Sequence, residues 1–200
     1  MSRLSWAMAL ASPLLLAPAP PCPPRAPACP QPLAEDGART RAIQALLSTD
    51  REASALLVES AGRVTLCFGA VAEPSVTSDG ALLLDASQPA PEAAARVAHL
   101  LHHRRAGSPL VGHRSSDCDR WVEAALDEEA QAHALEIRLL LAAGRPARFP
   151  FAAEAWAAPE DQRVEIIHRW LREHPAGFGG VPALATSYQS RCMREEEESR

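Results

Sequence analysis

From Asp117 to Ala143 the chain carries Trp121, Val122, Leu126, Leu135, Leu139 and Leu140 at helical spacing, with Ser116 or Asp117 as N-cap and Gly144 before Pro146 as a stop. A helix of this length is expected to form the backbone of the core, and the rest of the chain must pack around it. Shorter helices are predicted over residues 35–47, with Ile43, Leu46 and Leu47 as an apolar stripe, and over 52–58, capped from Ser48-Thr49-Asp50. Residues 92–105 form a third, with Ala93, Val97, Leu100 and Leu101 on its apolar side, and 159–173 a last one burying Val164, Ile167 and Trp170. Between them, residues 63–70 and 81–85 read as strands, separated by a loop ending in Ser78-Asp79-Gly80, and the pair is expected to form a meander or hairpin. The fold class is therefore α+β and mainly helical, a small two-stranded β element packed against a bundle of about four to five helices.

The N-terminus reads as an export segment: Arg3, then an apolar run from Leu4 to Ala17, then small residues and prolines, too short and Pro-flanked to span a membrane. Residues 1–28 are assigned to it, 29–34 to a Pro-rich linker, 35–190 to a single globular domain and 191–200 to an acidic tail in which Glu195 to Glu198 is a solvated run or a frayed helix end. The expected location is periplasmic or extracellular. A membrane association would require lipid anchoring through Cys22 or Cys29, each preceded by a weak lipobox. If those two cysteines lie in the removed or tethering part, Cys67, Cys118 and Cys192 remain; Cys118 is paired with Cys192, both near element ends, and Cys67 is left as a small core residue.

The formal charge of −5 comes with 20 basic residues, all arginine, scattered without an Arg-rich face. Phosphate neutralisation needs clustered cations, so nucleic acid is excluded as a partner, and an unidentified protein or peptide remains. The 47% apolar fraction is ordinary for a globular domain. No Gly-x-Ser-x-Gly elbow accompanies Ser115-Ser116-Asp117, which read as helix caps, and Gly177-Phe178-Gly179-Gly180 reads as a helix stop rather than a phosphate cradle. Trp121, Trp156 and Trp170 read as core or helix-contact residues.

His99 and His103 stand one turn apart on a predicted helix, so both imidazoles can reach a single ion. The plain alternative packs His99 in the core and leaves His102 and His103 solvated beside Arg104 and Arg105. On the long helix Glu129, His133 and Glu136 fall on one stripe that could face the histidine pair. A set of His99, His103 and Glu129, with His133 as fourth ligand or outer partner, would suit tetrahedral zinc, and Glu128 competes with Glu129.

The order of strand, His-bearing helix and Glu128-Glu129-Ala130-Gln131-Ala132 on the following helix resembles the core of gluzincin-type zinc metallopeptidases, over roughly Val64 to Leu141. The resemblance implies an edge strand before the histidine helix, His99 and His103 as the imidazole ligands and Glu129 as the third. It also implies a glutamate directly after the first histidine as general base, and here Leu100 stands in its place. Leucine cannot move a proton, and losing a general base costs about 10²–10⁴-fold. The expectation is an exported, metallopeptidase-like pseudoenzyme with a candidate zinc site, acting by binding. The alternatives are a zinc-dependent hydrolase using Asp85 or Glu136 as substitute base, and a helical envelope or interaction module without metal.

Overall fold

The computed structural model of the chain describes residues 26–106 and 117–198. Helices α1 (Gly37–Leu47) and α2 (Arg51–Glu59) lead into strands β1 (Thr65–Gly69), β2 (Ser75–Val76) and β3 (Ala81–Asp85). Helices α3 (Ala90–Ala106), α4 (Cys118–Ala142), α5 (Ala152–Ala157), α6 (Arg163–Glu173) and α7 (Leu184–Glu198) follow, with a 3₁₀ turn at Glu160–Gln162 before α6. The class is the expected one, mainly helical α+β. No helix among the described residues is long and apolar enough to cross a membrane.

The first two helices start on aspartates for one local reason. Asp36 and Asp50 are extended, and each carboxylate accepts the two backbone N–H groups that the first turn leaves unpaired, at 3.0 Å. Asp50 is additionally gripped by the Arg138 guanidinium of α4, at 2.7 and 3.1 Å.

The sheet departs from the expected hairpin. β1 pairs with β3 in parallel, from Thr65↔Ala81 to Gly69↔Asp85, and the short β2 in the intervening loop turns back antiparallel onto the other side of β3. The order β1-β3-β2 makes three strands instead of two and puts β3 in the centre. Its continuous apolar run, with Leu82 and Leu84 fully buried, suits a central strand covered on both sides. Gly80 supplies the turn between β2 and β3 at φ 105°, where an added Cβ would lie 2.6 Å from the Arg63 carbonyl oxygen.

Residues 29–34, read from the sequence as a linker, instead cover the outer edge of β1. Ala34 bridges Phe68, the Thr65 hydroxyl donates to the Pro27 carbonyl at 2.7 Å, and Cys29 is disulfide-bonded to Cys67. Cys67 is therefore not a free core thiol. Cys29 has no thiol left to carry a lipid, and Cys22 lies outside the described residues. The pairing of Cys118 with Cys192 is as expected, and it falls within α7, so the chain from 191 onward continues a helix to Glu198.

Helix α4 is the backbone of the core, and it is shared by two apolar clusters. On one side Leu135, Leu139 and Leu140 meet α1, α2, the sheet and the Val97-Leu101 face of α3. On the other Trp121, Leu126 and Ile137 meet Phe151, Ile166, Ile167 and Leu171 from α5 and α6, and Tyr188 and Cys192 from α7. Val164 and Trp170, expected to be buried, are only partly so; Ile166 and Leu171 take that place because α6 begins after the 3₁₀ turn. Buried polar residues lie along α3 and α4 as well: His99, Glu129, His133 and Glu136.

Candidate metal centre

The site is assembled by two helices whose polar stripes face each other. His99 and His103 project from α3, Glu128, Glu129, His133 and Glu136 from α4, and all but His103 and Glu128 are at most 6% exposed. Such burial of charge needs compensation from partners or an ion.

His99 Nε2 and His103 Nε2 lie 3.0 Å apart, and Glu129 Oε2 is 3.5 Å from the first and 3.4 Å from the second. Ligands about 2.0 Å from a tetrahedral ion stand about 3.3 Å from one another, so the three atoms have the separations of a shared coordination sphere. The structure thus brings together His99, His103 and Glu129, and these buried groups could hold a metal ion. Leu100 does not: it is buried in the apolar cluster formed with α1, α2 and the sheet.

Each of the three is backed by a further group. His103 Nδ1 is hydrogen-bonded to Glu128 Oε1 at 2.7 Å, so Glu128 stands behind a histidine and Glu129 faces the centre. Glu129 Oε1 accepts a hydrogen bond from the Tyr188 hydroxyl of α7. Glu136 Oε2 lies 2.9 Å from His99 Nδ1, and its other oxygen is 3.3 Å from the Arg96 guanidinium. Outer partners of this kind fix ring orientation and raise ligand basicity.

His133 does not join the first group. Its ring lies on the other side of His99, centroids 4.7 Å apart, with Nδ1 3.5 Å from Glu136 Oε2. Of the two roles open to it, fourth ligand or outer partner, its contacts fit the outer one, and it groups with His99 and Glu136. His102, which the plain alternative left in solvent, is buried, and its Nδ1 is 3.9 Å from Glu52 Oε1.

The buried carboxylates and imidazoles shift one another's titration toward the charged forms at His99, His103, Glu129 and Glu136. Burial alone would push the His99 and His103 imidazoliums down, but Glu129 with Glu136, and Glu128 with Glu129, outweigh it; His99 is raised and His103 reaches about 9. Burial pushes the Glu129 and Glu136 carboxyls up, yet the adjacent imidazoles hold both well below the usual range. His133 is lowered by burial, and His102 falls to about 4 by burial and the neighbouring His103.

Sequence reasoning did not reach Tyr188, the single tyrosine of the chain. A signal existed in hindsight of the geometry: Tyr188 is one turn before Cys192, and the bond to Cys118 docks that face of α7 on α4. Arg96 gave no signal beyond lying one turn before the histidines. The strand leading to α3 is central, where the resemblance implied an edge strand. Set against protein families, characterised proteins and solved structures, the chain shows no significant match to any of the three, so the reading of this centre rests on its own geometry.

Proposed function

We propose that this is an exported zinc-binding domain of metallopeptidase-like construction that lacks the peptidase base and acts by binding. The observation that carries the proposal is the convergence of His99 Nε2, His103 Nε2 and Glu129 Oε2 at 3.0–3.5 Å, each backed by a carboxylate or hydroxyl. Two imidazoles and one carboxylate suit zinc by softness and number. Bound zinc would supply a Lewis acid; the chain supplies buried, oriented ligands, and Leu100 supplies no proton acceptor beside them. Two disulfides support an oxidising compartment.

The test is metal analysis of protein purified without a histidine tag. At least one zinc per chain, lost in His99→Ala, is expected; a wild-type chain without stoichiometric zinc overturns the proposal. Peptide-hydrolysis assays of the zinc-loaded wild type then ask about the chemistry: no turnover is expected, and hydrolysis that chelation abolishes overturns the reading of a centre without a base.

A further inference from the structure

His99, His133 and Glu136 form a second buried group whose ligand atoms lie within 4.8 Å of one another, with Glu136 Oε2 facing His99 Nδ1 and His133 Nδ1. None of these three atoms has a hydrogen-bond partner, although Glu136 Oε2 is 2.9 Å from His99 Nδ1 and 3.5 Å from His133 Nδ1. Buried polar atoms this close normally pair. A hydrogen bond places the acceptor along the N–H direction, whereas two ligands of one ion aim at a common point beside the line that joins them. Short separation without alignment is the second pattern.

We propose that His99, His133 and Glu136 form a second cation site, so that the His99 imidazole bridges two ions, Nε2 to the first and Nδ1 to the second. This rests on the reading of His99, His103 and Glu129 as the first site. The ligand set is again two imidazole nitrogens and one carboxylate oxygen, which selects zinc or copper(II) over calcium or magnesium. The neighbours fit the role: Arg96 holds the opposite Glu136 oxygen and leaves Oε2 turned inward. The His133 ring is fixed edge-on by Phe149 and Phe151, at 4.9 and 5.5 Å between centroids. Binding of the second ion displaces the remaining His99 ring proton, which is released to solvent; no bond other than N–H is broken, and nothing is oxidised or reduced.

The test compares the intact chain with His133→Ala and His133→Gln, using zinc-to-protein ratios after dialysis. Circular dichroism first establishes that the metal-free variants are folded, and Gln serves if Ala is not. Two zinc ions in the wild type and one in the variant are expected. One ion in both overturns the second site and leaves the first standing; two in both places the second ion elsewhere and overturns it; none in the wild type overturns both. Copper(II) titration gives an independent readout. Through a bridging ring the two spins couple, so the second equivalent should add no paramagnetic resonance intensity in the wild type. Intensity that doubles, as for two separate ions, overturns the bridge.

Discussion

Replacing Tyr188 by phenylalanine removes one hydroxyl and leaves the ring, so it isolates the bond to Glu129 Oε1 from the packing of α7. Tyr188 is 3% exposed and meets Trp121 edge-on at 5.7 Å, a contact phenylalanine keeps. The carboxylate left behind is buried, and a hydrogen bond to a charged group contributes about 1.5–3 kcal/mol. In the metal-free chain His99 and His103 still face Glu129, which places the cost near the lower end, about 2 kcal/mol, or roughly 4–8 °C of melting temperature for a domain of this size. Zinc affinity should fall as well, because the hydroxyl also fixes which oxygen faces the ion. Loss of an outer partner typically weakens binding by about 10–100-fold, equivalent to about 1.4–2.7 kcal/mol. Chelator competition for zinc and thermal melts of the metal-free protein measure the two quantities separately. A variant that melts lower yet binds zinc within about threefold of wild type would refute the argument, since Tyr188 would then be a packing residue only.

Three further outcomes follow from named contacts. Asp36→Ala should cost about 1 kcal/mol, the worth of an exposed N-cap, whereas Asp50→Ala should cost roughly 1 kcal/mol more because it also removes two bonds from Arg138, which keeps Glu52 as its other carboxylate; equal urea midpoints would refute the difference. His103 is raised to about 9, so its contribution to metal-free stability is complete below its ordinary 6.5 and is lost as pH rises through 9. His102 is held near 4, so its contribution is present above 6.5 and lost as pH falls toward 4. Melting temperature should therefore decline on both sides, and zinc, which replaces the protons, should remove the alkaline decline; an alkaline limb unchanged by zinc contradicts this. Serine at both Cys118 and Cys192 opens a loop closed across 74 residues, worth about 4 kcal/mol by chain entropy, and should lower zinc affinity too by loosening Tyr188; denaturant titration and chelator competition read the two effects.

Most of the helices were legible because their signals are local. Asp50 as a cap, Gly144 as a stop and the apolar spacing on α4 each act within a turn or two, and the structure has helices where those signals stand. The sheet was not legible in the same way. The two apolar strands were readable, but their parallel pairing depends on Ser75–Val76 taking the far side of β3, a decision made by long-range packing on a stretch with no strand periodicity. Cys67 looked like a core residue from its apolar neighbours, and it is buried as one would be. Its partner Cys29 stood beyond a run of prolines that argued for mobility, and only the uncovered edge of β1 explains why that run is fastened down. At the centre, the turn-by-turn spacing of His99 and His103 and the stripe of Glu129, His133 and Glu136 were readable. Which side of the His99 ring each α4 residue would face was not, because it depends on the crossing of two helices, and so the role of His133 stayed open between ligand and outer partner.

The position of the centre bears on what an ion would do for the protein. α4 carries an apolar cluster on each side, and His99, Glu129, His133 and Glu136 are buried along its contact with α3. Burying carboxylates costs more than an apolar replacement there would, and an ion held by them would offset that cost. The members with most access to solvent are His103 and Glu128, whose side chains are 12% and 15% exposed. Structural zinc has four protein ligands and catalytic zinc three with one open position, so a centre of His99, His103 and Glu129 would leave one position free. In the position after the first histidine this chain has a core residue packed with α1, α2 and the sheet, and that residue offers no proton acceptor. An ion held between α3 and α4 would tie the two apolar clusters together, and its removal would be felt first as stability lost across that contact.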